Sequence, residues 1–289
     1  MAQRNNLERA LTGKKKVEPD QSAPAAAQES SQELFSFVTP TEFVDLPSQG
    51  RFYAEGHPLH NSLTVEIRHM TAKEEDILTS ESLLKKGIAV DRMLQSLVVD
   101  KSLKLGELLI GDKNALLVAA RITGFGPHYE TKVGCPSCGE TIDNSFNLNE
   151  LDLVSATELP PNVELLPNGN FKATLETIDG FTVELRLLKG NDEKVFSASR
   201  EKKKKLKLPE AAITGQLKLV VVAVNDVDDG GLIAKFIDAI PTTASREIRA
   251  IYEALMPNVD LTQEISCSQC DHEGRISVPL TADFFWPEL

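Results

Sequence analysis

Three observations predict an α+β protein. Some segments alternate apolar and polar residues with period two, others space their apolar residues as a helix does, and four cysteines fall in two equally spaced pairs, Cys135-Pro-Ser-Cys138 and Cys267-Ser-Gln-Cys270. The expected arrangement is mixed helices and short antiparallel strands around a four-cysteine zinc ribbon built from two CxxC knuckles. At 289 residues the chain has room for one or two domains and a tail, and 41% apolar with 26% charged residues is the composition of an ordinary globular core.

Residues 1–33 contain Lys14-Lys-Lys16, Pro19, Pro24 and a Gln/Glu/Ser run with hardly any large apolar side chain, which predicts a disordered tail. Such a tail is either a solvated extension or an arm that orders on a partner. Residues 34–134 are expected to be a turn-rich, strand and helical region. Order starts with Phe35, Phe37, Phe43 and Val44, and in Leu46-Pro-Ser-Gln-Gly-Arg-Phe-Tyr-Ala-Glu-Gly-His-Pro-Leu59 glycines and prolines punctuate apolar anchors, as in extended chain with tight turns. From Thr64 to Met70, Val65 and Ile67 alternate with Glu66 and Arg68, a half-buried strand. Thr71 followed by Glu74 is a capping box that opens a helix near Ala72. Helical spacing recurs over Ile88 to Val99 and over Asn114 to Ile122, with Gly124 placed to stop the second helix.

In residues 135–289, ribbon hairpins at about 130–150 and 262–282 are expected to enclose an α+β insertion at about 151–261. Within it, Phe171 to Leu175 and Phe181 to Leu187 alternate and join through Asp179-Gly180, a hairpin signal. Helical stretches follow at Asp192 to Leu206, Ala211 to Val224 and Gly231 to Leu255, the last interrupted at Pro241. No whole-chain repeat with a period of 20 to 50 residues is visible, which argues against a solenoid.

The cysteines carry the strongest chemical signal. A two-residue spacer lets both sulfurs of a tight turn face one ion, and two such turns complete the tetrahedral shell that zinc accepts. Gly139 follows one knuckle and Asp271 the other, both residue types that tolerate positive φ. Val133 and Ile265 each sit two residues before a knuckle, while Phe146 with Leu148 and Val278 with Leu280 lie eight and ten residues after, so each half reads as strand, knuckle, strand. The candidate metal ligands are therefore Cys135, Cys138, Cys267 and Cys270, holding a structural Zn2+. Iron in a rubredoxin-like site, a redox dithiol and a catalytic zinc are the lesser readings; four thiolates leave no position for an activated water. His272 is a spare candidate ligand or an exposed turn residue.

A formal charge of −12 opposes a protein that wraps a polyanion, and 6% aromatic residues leave few stacking platforms for single strands. The basic run Arg200-Glu-Lys-Lys-Lys-Lys205 reads as the solvated face of a helix. The longest apolar stretch, Leu217 to Val224, contains Lys218 and is too short to span a membrane. The first residues lack an apolar signal core, so a cytoplasmic product without disulfides is expected. The five histidines show no His-x-x-x-His pair, and phosphate-binding glycine loops and nucleophile elbows are absent. The acidic clusters at Glu74 to Asp76 and Asp226 to Asp229 are explained by capping and loop solvation. No catalytic constellation or small-molecule substrate site is expected, and the chain is read as a non-enzyme.

The segment Leu46 to Leu59, followed by Thr71-Ala-Lys-Glu-Glu-Asp-Ile-Leu78 and the two knuckles, resembles the T4-type baseplate protein family, the hub or hub-assembly proteins of contractile-tailed bacteriophages, over roughly residues 36 to 286. The resemblance implies a structural or assembly role at the baseplate hub with other hub and tail proteins as partners. It places the chain in the host cytoplasm during assembly and in the virion tail baseplate. Two alternatives stay open: a zinc-ribbon nucleic-acid-binding protein using Lys202 to Lys205, and a tail assembly chaperone absent from the mature virion.

Overall fold

The structure is a computed structural model that describes residues 39–155, 159–205, 212–280 and 284–286; the expected tail, with Phe35 and Phe37, lies outside them. Strand β1 (Thr41–Asp45) pairs antiparallel with β2 (Thr64–Arg68), setting Val44 opposite Val65 on the buried face. Strand alternation turns Phe43 the other way, so this expected anchor is 69% exposed. Between the strands the turn-rich segment buries Leu46, Phe52, Tyr53 and Leu59. Gly50 permits this path: its φ is +70°, and a Cβ there would lie 2.3 Å from the Ser62 backbone nitrogen.

Helix α1 (Ala72–Thr79) opens as expected, with the Glu74 carboxylate accepting from the Thr71 backbone N–H at 3.1 Å. Capping is only part of its role. Glu74 is buried, accepts from both terminal nitrogens of Arg68 (2.5 and 3.1 Å), and also accepts from the Ser96 hydroxyl. Helices α2 (Glu81–Lys85) and α3 (Ala89–Leu97) follow, then α4 (Ile110–Phe125), longer at both ends than its expected span. Gly124 is not its stop. It lies inside the helix, where a Cβ would come within 2.6 Å of Met70 Sδ, and Gly126, at φ +84°, ends the helix.

Asp112, in the first turn of α4, ties the turn-rich segment down. Its buried carboxylate accepts from the Ser48 backbone N–H (2.9 Å), the Ser48 hydroxyl (2.6 Å) and the Tyr53 hydroxyl (2.7 Å). Tyr53 Oη in turn accepts from the Leu109 N–H at the start of the helix. Desolvation raises the Asp112 pKa against these three donors.

Beyond α4 come β3 (His128–Gly134) and β4 (Thr141–Asn147), then β5 (Asp152–Val154). The insertion forms an antiparallel sheet in the order β6 (Val163–Leu165), β7 (Phe171–Thr174), β8 (Thr182–Leu185), β9 (Val221–Val224). Helix α5 (Gly190–Lys205) connects to α6 (Ala212–Val220), which enters β9 directly; α7 (Gly230–Ala239) and α8 (Thr242–Leu255) flank Pro241 as expected. The expected helix to Val224 is corrected at Val221. Three of its last four residues are β-branched, and β8 offers an open edge against which Val221 and Ala223 become buried. Asn225 and Asp226, at φ 48° and 62°, then make a two-residue turn across which Val224 and Val227 exchange hydrogen bonds. The last strands are β10 (Asn258–Asp260), β11 (Thr262–Ser266) and β12 (Glu273–Ser277). One contiguous core runs through these elements, with Tyr129, Phe146, Phe171 and Phe284 among its largest fully buried side chains.

Candidate metal centre

Both cysteine pairs cap two-stranded hairpins. In β3 and β4 the pairs Tyr129/Phe146 and Val133/Ile142 face the core, while His128, Glu130 and Lys132 face outward. In β11 and β12, Ile265 is the buried anchor, with Val278 beyond the strand. The two knuckles share one backbone pattern. The N–H of Cys135 donates to Glu140 O and that of Gly139 to Cys135 O; the N–H of Cys267 donates to His272 O and that of Asp271 to Cys267 O. The fourth residue after the first cysteine has positive φ in both, 77° at Gly139 and 54° at Asp271. The spacing thus folds the same way twice, and in each knuckle the first cysteine is buried and the second exposed.

Side chain and backbone outside the knuckles bring the hairpins together. The Gln263 amide brackets the Asn147 backbone, accepting from its N–H at 3.1 Å and donating to its carbonyl at 2.6 Å, as a neighbouring strand would. Strands β5 and β10, next in the chain to each hairpin, pair antiparallel with Leu153 opposite Val259. The result is a cluster in which the four sulfurs all lie within 4.8 Å of one another. Cys135 Sγ is 3.8 Å from Cys270 Sγ, and Cys138 Sγ is 3.9 Å from Cys267 Sγ. Both distances are far beyond a disulfide bond of about 2 Å. They equal the edge of a tetrahedron with metal–sulfur bonds of about 2.3 Å, which is about 3.8 Å. The donor set could therefore hold a tetrahedral thiophilic ion.

The electrostatics fit such an ion. The backbone N–H of Cys138, seconded by that of Ser137, holds the Cys135 thiol well below its ordinary range, at about 6. At Cys138 the Glu140 N–H pulls downward but is outweighed by desolvation and the thiols of Cys270, Cys135 and Cys267, which push it up to about 12. Four sulfurs this close cannot all ionise without a cation to offset their repulsion.

Other residues singled out by pattern fall elsewhere. His272 stands outside the four-sulfur group, contributing its carbonyl to the knuckle. His57 stacks on Tyr53 at 4.4 Å, and His60 Nδ1 lies 2.6 Å from Tyr53 O, so both belong to the turn-rich segment. The backbone of the basic run continues α5 to Lys205, while its side chains lie outside what is described. Sequence patterns missed Asp112, Glu74 and Arg121 as buried charges. Only Glu74 carried a local signal, the capping box.

No helix among the described residues is long and apolar enough to cross a membrane. A family model described as T4 bacteriophage base plate protein matches residues 39–286, from the strand before the turn-rich segment to beyond the second knuckle. No curated protein and no solved structure matches the chain. With the match spanning both hairpins and the Asp112-anchored segment, the chain belongs to the T4 bacteriophage base plate protein family.

Proposed function

We propose that this baseplate protein acts at the hub, as a non-enzymatic structural or assembly component that binds other hub and tail proteins, and that Cys135, Cys138, Cys267 and Cys270 hold a structural zinc. The observation that carries the metal reading is the tetrahedral-edge spacing of sulfurs from two hairpins far apart in sequence. Four thiolates would fill the shell, so zinc would act as a cross-link. Chain-entropy reasoning for cross-links of this span gives about 4 to 5 kcal/mol as an upper guide. In this reading residues 34–134 and 135–289 are the two working regions, the second organised as ribbon hairpins around the insertion. The protein works in the host cytoplasm during assembly and in the tail baseplate.

Two measurements test the reading. Cys267→Ser should lower bound zinc from one equivalent to none and lower the melting temperature; full zinc content with unchanged melting would overturn the zinc model. A tagged chain recovered gently from infected host cells should carry hub or tail proteins. Recovery of nuclease-sensitive nucleic acid without tail proteins would favour the nucleic-acid alternative, and absence from finished particles would mark a chaperone.

A further inference from the structure

A groove of about 790 Å³ opens where the C-terminal end of α4, the β3–β4 hairpin and Trp286 meet. Arg121 lines it and is only 3% exposed. Its guanidinium is surrounded by the rings of Phe125, Tyr129 and Phe284, with carbon-to-centroid distances of 5.2, 5.7 and 5.9 Å. Its terminal nitrogens donate to the carbonyls of Gly126 and His128, while Nε is buried without a partner. Among the described residues no carboxylate pairs with it. Rings and carbonyls offset the buried charge only in part and supply no counter-ion, and desolvation lowers its pKa accordingly.

The same groove holds an anomaly of strand pattern. On the inward face of the hairpin, the pairs Tyr129/Phe146 and Val133/Ile142 are apolar, but the rung between them is Thr131/Asn144. Both residues are half-buried and line the groove. Among the described residues neither side chain makes a hydrogen bond to the protein. A hydroxyl, an amide and an arginine with an unspent donor thus line one concavity beside an indole.

We propose that this groove is a docking site for a carboxylate-bearing peptide segment of a partner protein. The acidic side chain would face Arg121 and the Thr131/Asn144 rung, and an adjoining apolar residue would pack on Trp286. The volume suits a few residues rather than a single ion. The rim favours an isolated acid over a polyphosphate strand, because exposed Glu130 and Asp143 flank Lys132 and would repel a uniformly charged backbone. The site is separate from the four sulfurs, which sit at the hairpin's tip.

Trp286 is the chain's single tryptophan and so reports occupancy by its emission. The full-length protein would be titrated with a capped Gly-Asp-Leu-Gly peptide, with its capped Gly-Asn-Leu-Gly counterpart, and with a short single-stranded oligonucleotide. The expected result is a saturable change with the acidic peptide alone, weakened about tenfold or more in the double variant Thr131→Val/Asn144→Leu. That variant extends the apolar character of the hairpin's inner face across its polar rung, so its melting temperature should not fall below the parent's and its zinc content should match. Arg121→Met should abolish the change, the double variant serving as the test if it fails to fold. No response to the acidic peptide, equal responses to both peptides, a response to the oligonucleotide alone, or full binding by the double variant would overturn the proposal.

Discussion

Glu74 and Asp112 are both buried carboxylates, yet their surroundings push them in opposite directions. Burial alone would raise Glu74, but the Arg68 fork with the Thr71 and Ser96 hydroxyls holds it down at about 2. A folded pKa below the unfolded value near 4.5 means that the stabilisation is present above about pH 4.5 and is lost as pH falls toward 2. Urea unfolding should therefore show Glu74→Gln markedly less stable than the parent at pH 7, with the gap closing in that acidic window. Among the described residues Asp112 has no cation to lean on, and it serves as an acceptor for three donors. Asp112→Ala should cost about 3 kcal/mol in the same measurement, because the Ser48 N–H and the Ser48 and Tyr53 hydroxyls would be left buried and unpaired. Two glycines give a second contrast. Gly139 has φ +77° in open space, so an alanine there should cost only about 1 kcal/mol of backbone strain, whereas Gly50→Ala adds a collision with backbone atoms and should cost about 3 kcal/mol or more.

Among the elements, the β3–β4 hairpin was readable because its alternation, its Cys-x-x-Cys turn and the glycine after it all point to the same structure. The strand β9 was not, since Leu217 to Val224 is apolar almost throughout and period alone cannot separate a buried helix from a buried strand. What decided it is β8, which lies more than thirty residues earlier and supplies the edge. The extension of α4 has a similar origin. Its first turn is held by Ser48 and Tyr53 from the turn-rich segment, so its true start is a tertiary fact. Helix ends argued from glycine are safe only where the glycine is conformationally needed, as at Gly126, and not where it makes room, as at Gly124. Beside the β5–β10 pairing, the Gln263 amide ties one hairpin to the backbone of the other. Gln263→Ala should destabilise by about 1 to 2 kcal/mol and speed the transfer of the proposed zinc to a chelator, followed with a chromogenic competitor, while leaving its stoichiometry unchanged.

At the scale of the molecule, one core joins the turn-rich segment, α4, the insertion sheet and both hairpins, so residues 40–289 should unfold as a unit. Trp286 emission and far-UV circular dichroism should give coincident urea transitions, both shifted to lower urea when a chelator removes the proposed zinc; separate transitions would show that the hairpins unfold apart from the insertion. The sequence by itself determined the longer helices, the strands of both hairpins, the two knuckles with their positive-φ residues, and the four cysteines as a set, because each of these is written in local spacing that backbone geometry reads directly. Only the tertiary structure decided that the four sulfurs come within 4.8 Å of one another, that Asp112 anchors Ser48 and Tyr53, and that Arg121 lies enclosed by Phe125, Tyr129 and Phe284. Each of these joins residues that the chain holds apart, and the partner that makes a buried charge or a lone thiol stable is chosen by packing, which local periodicity does not encode.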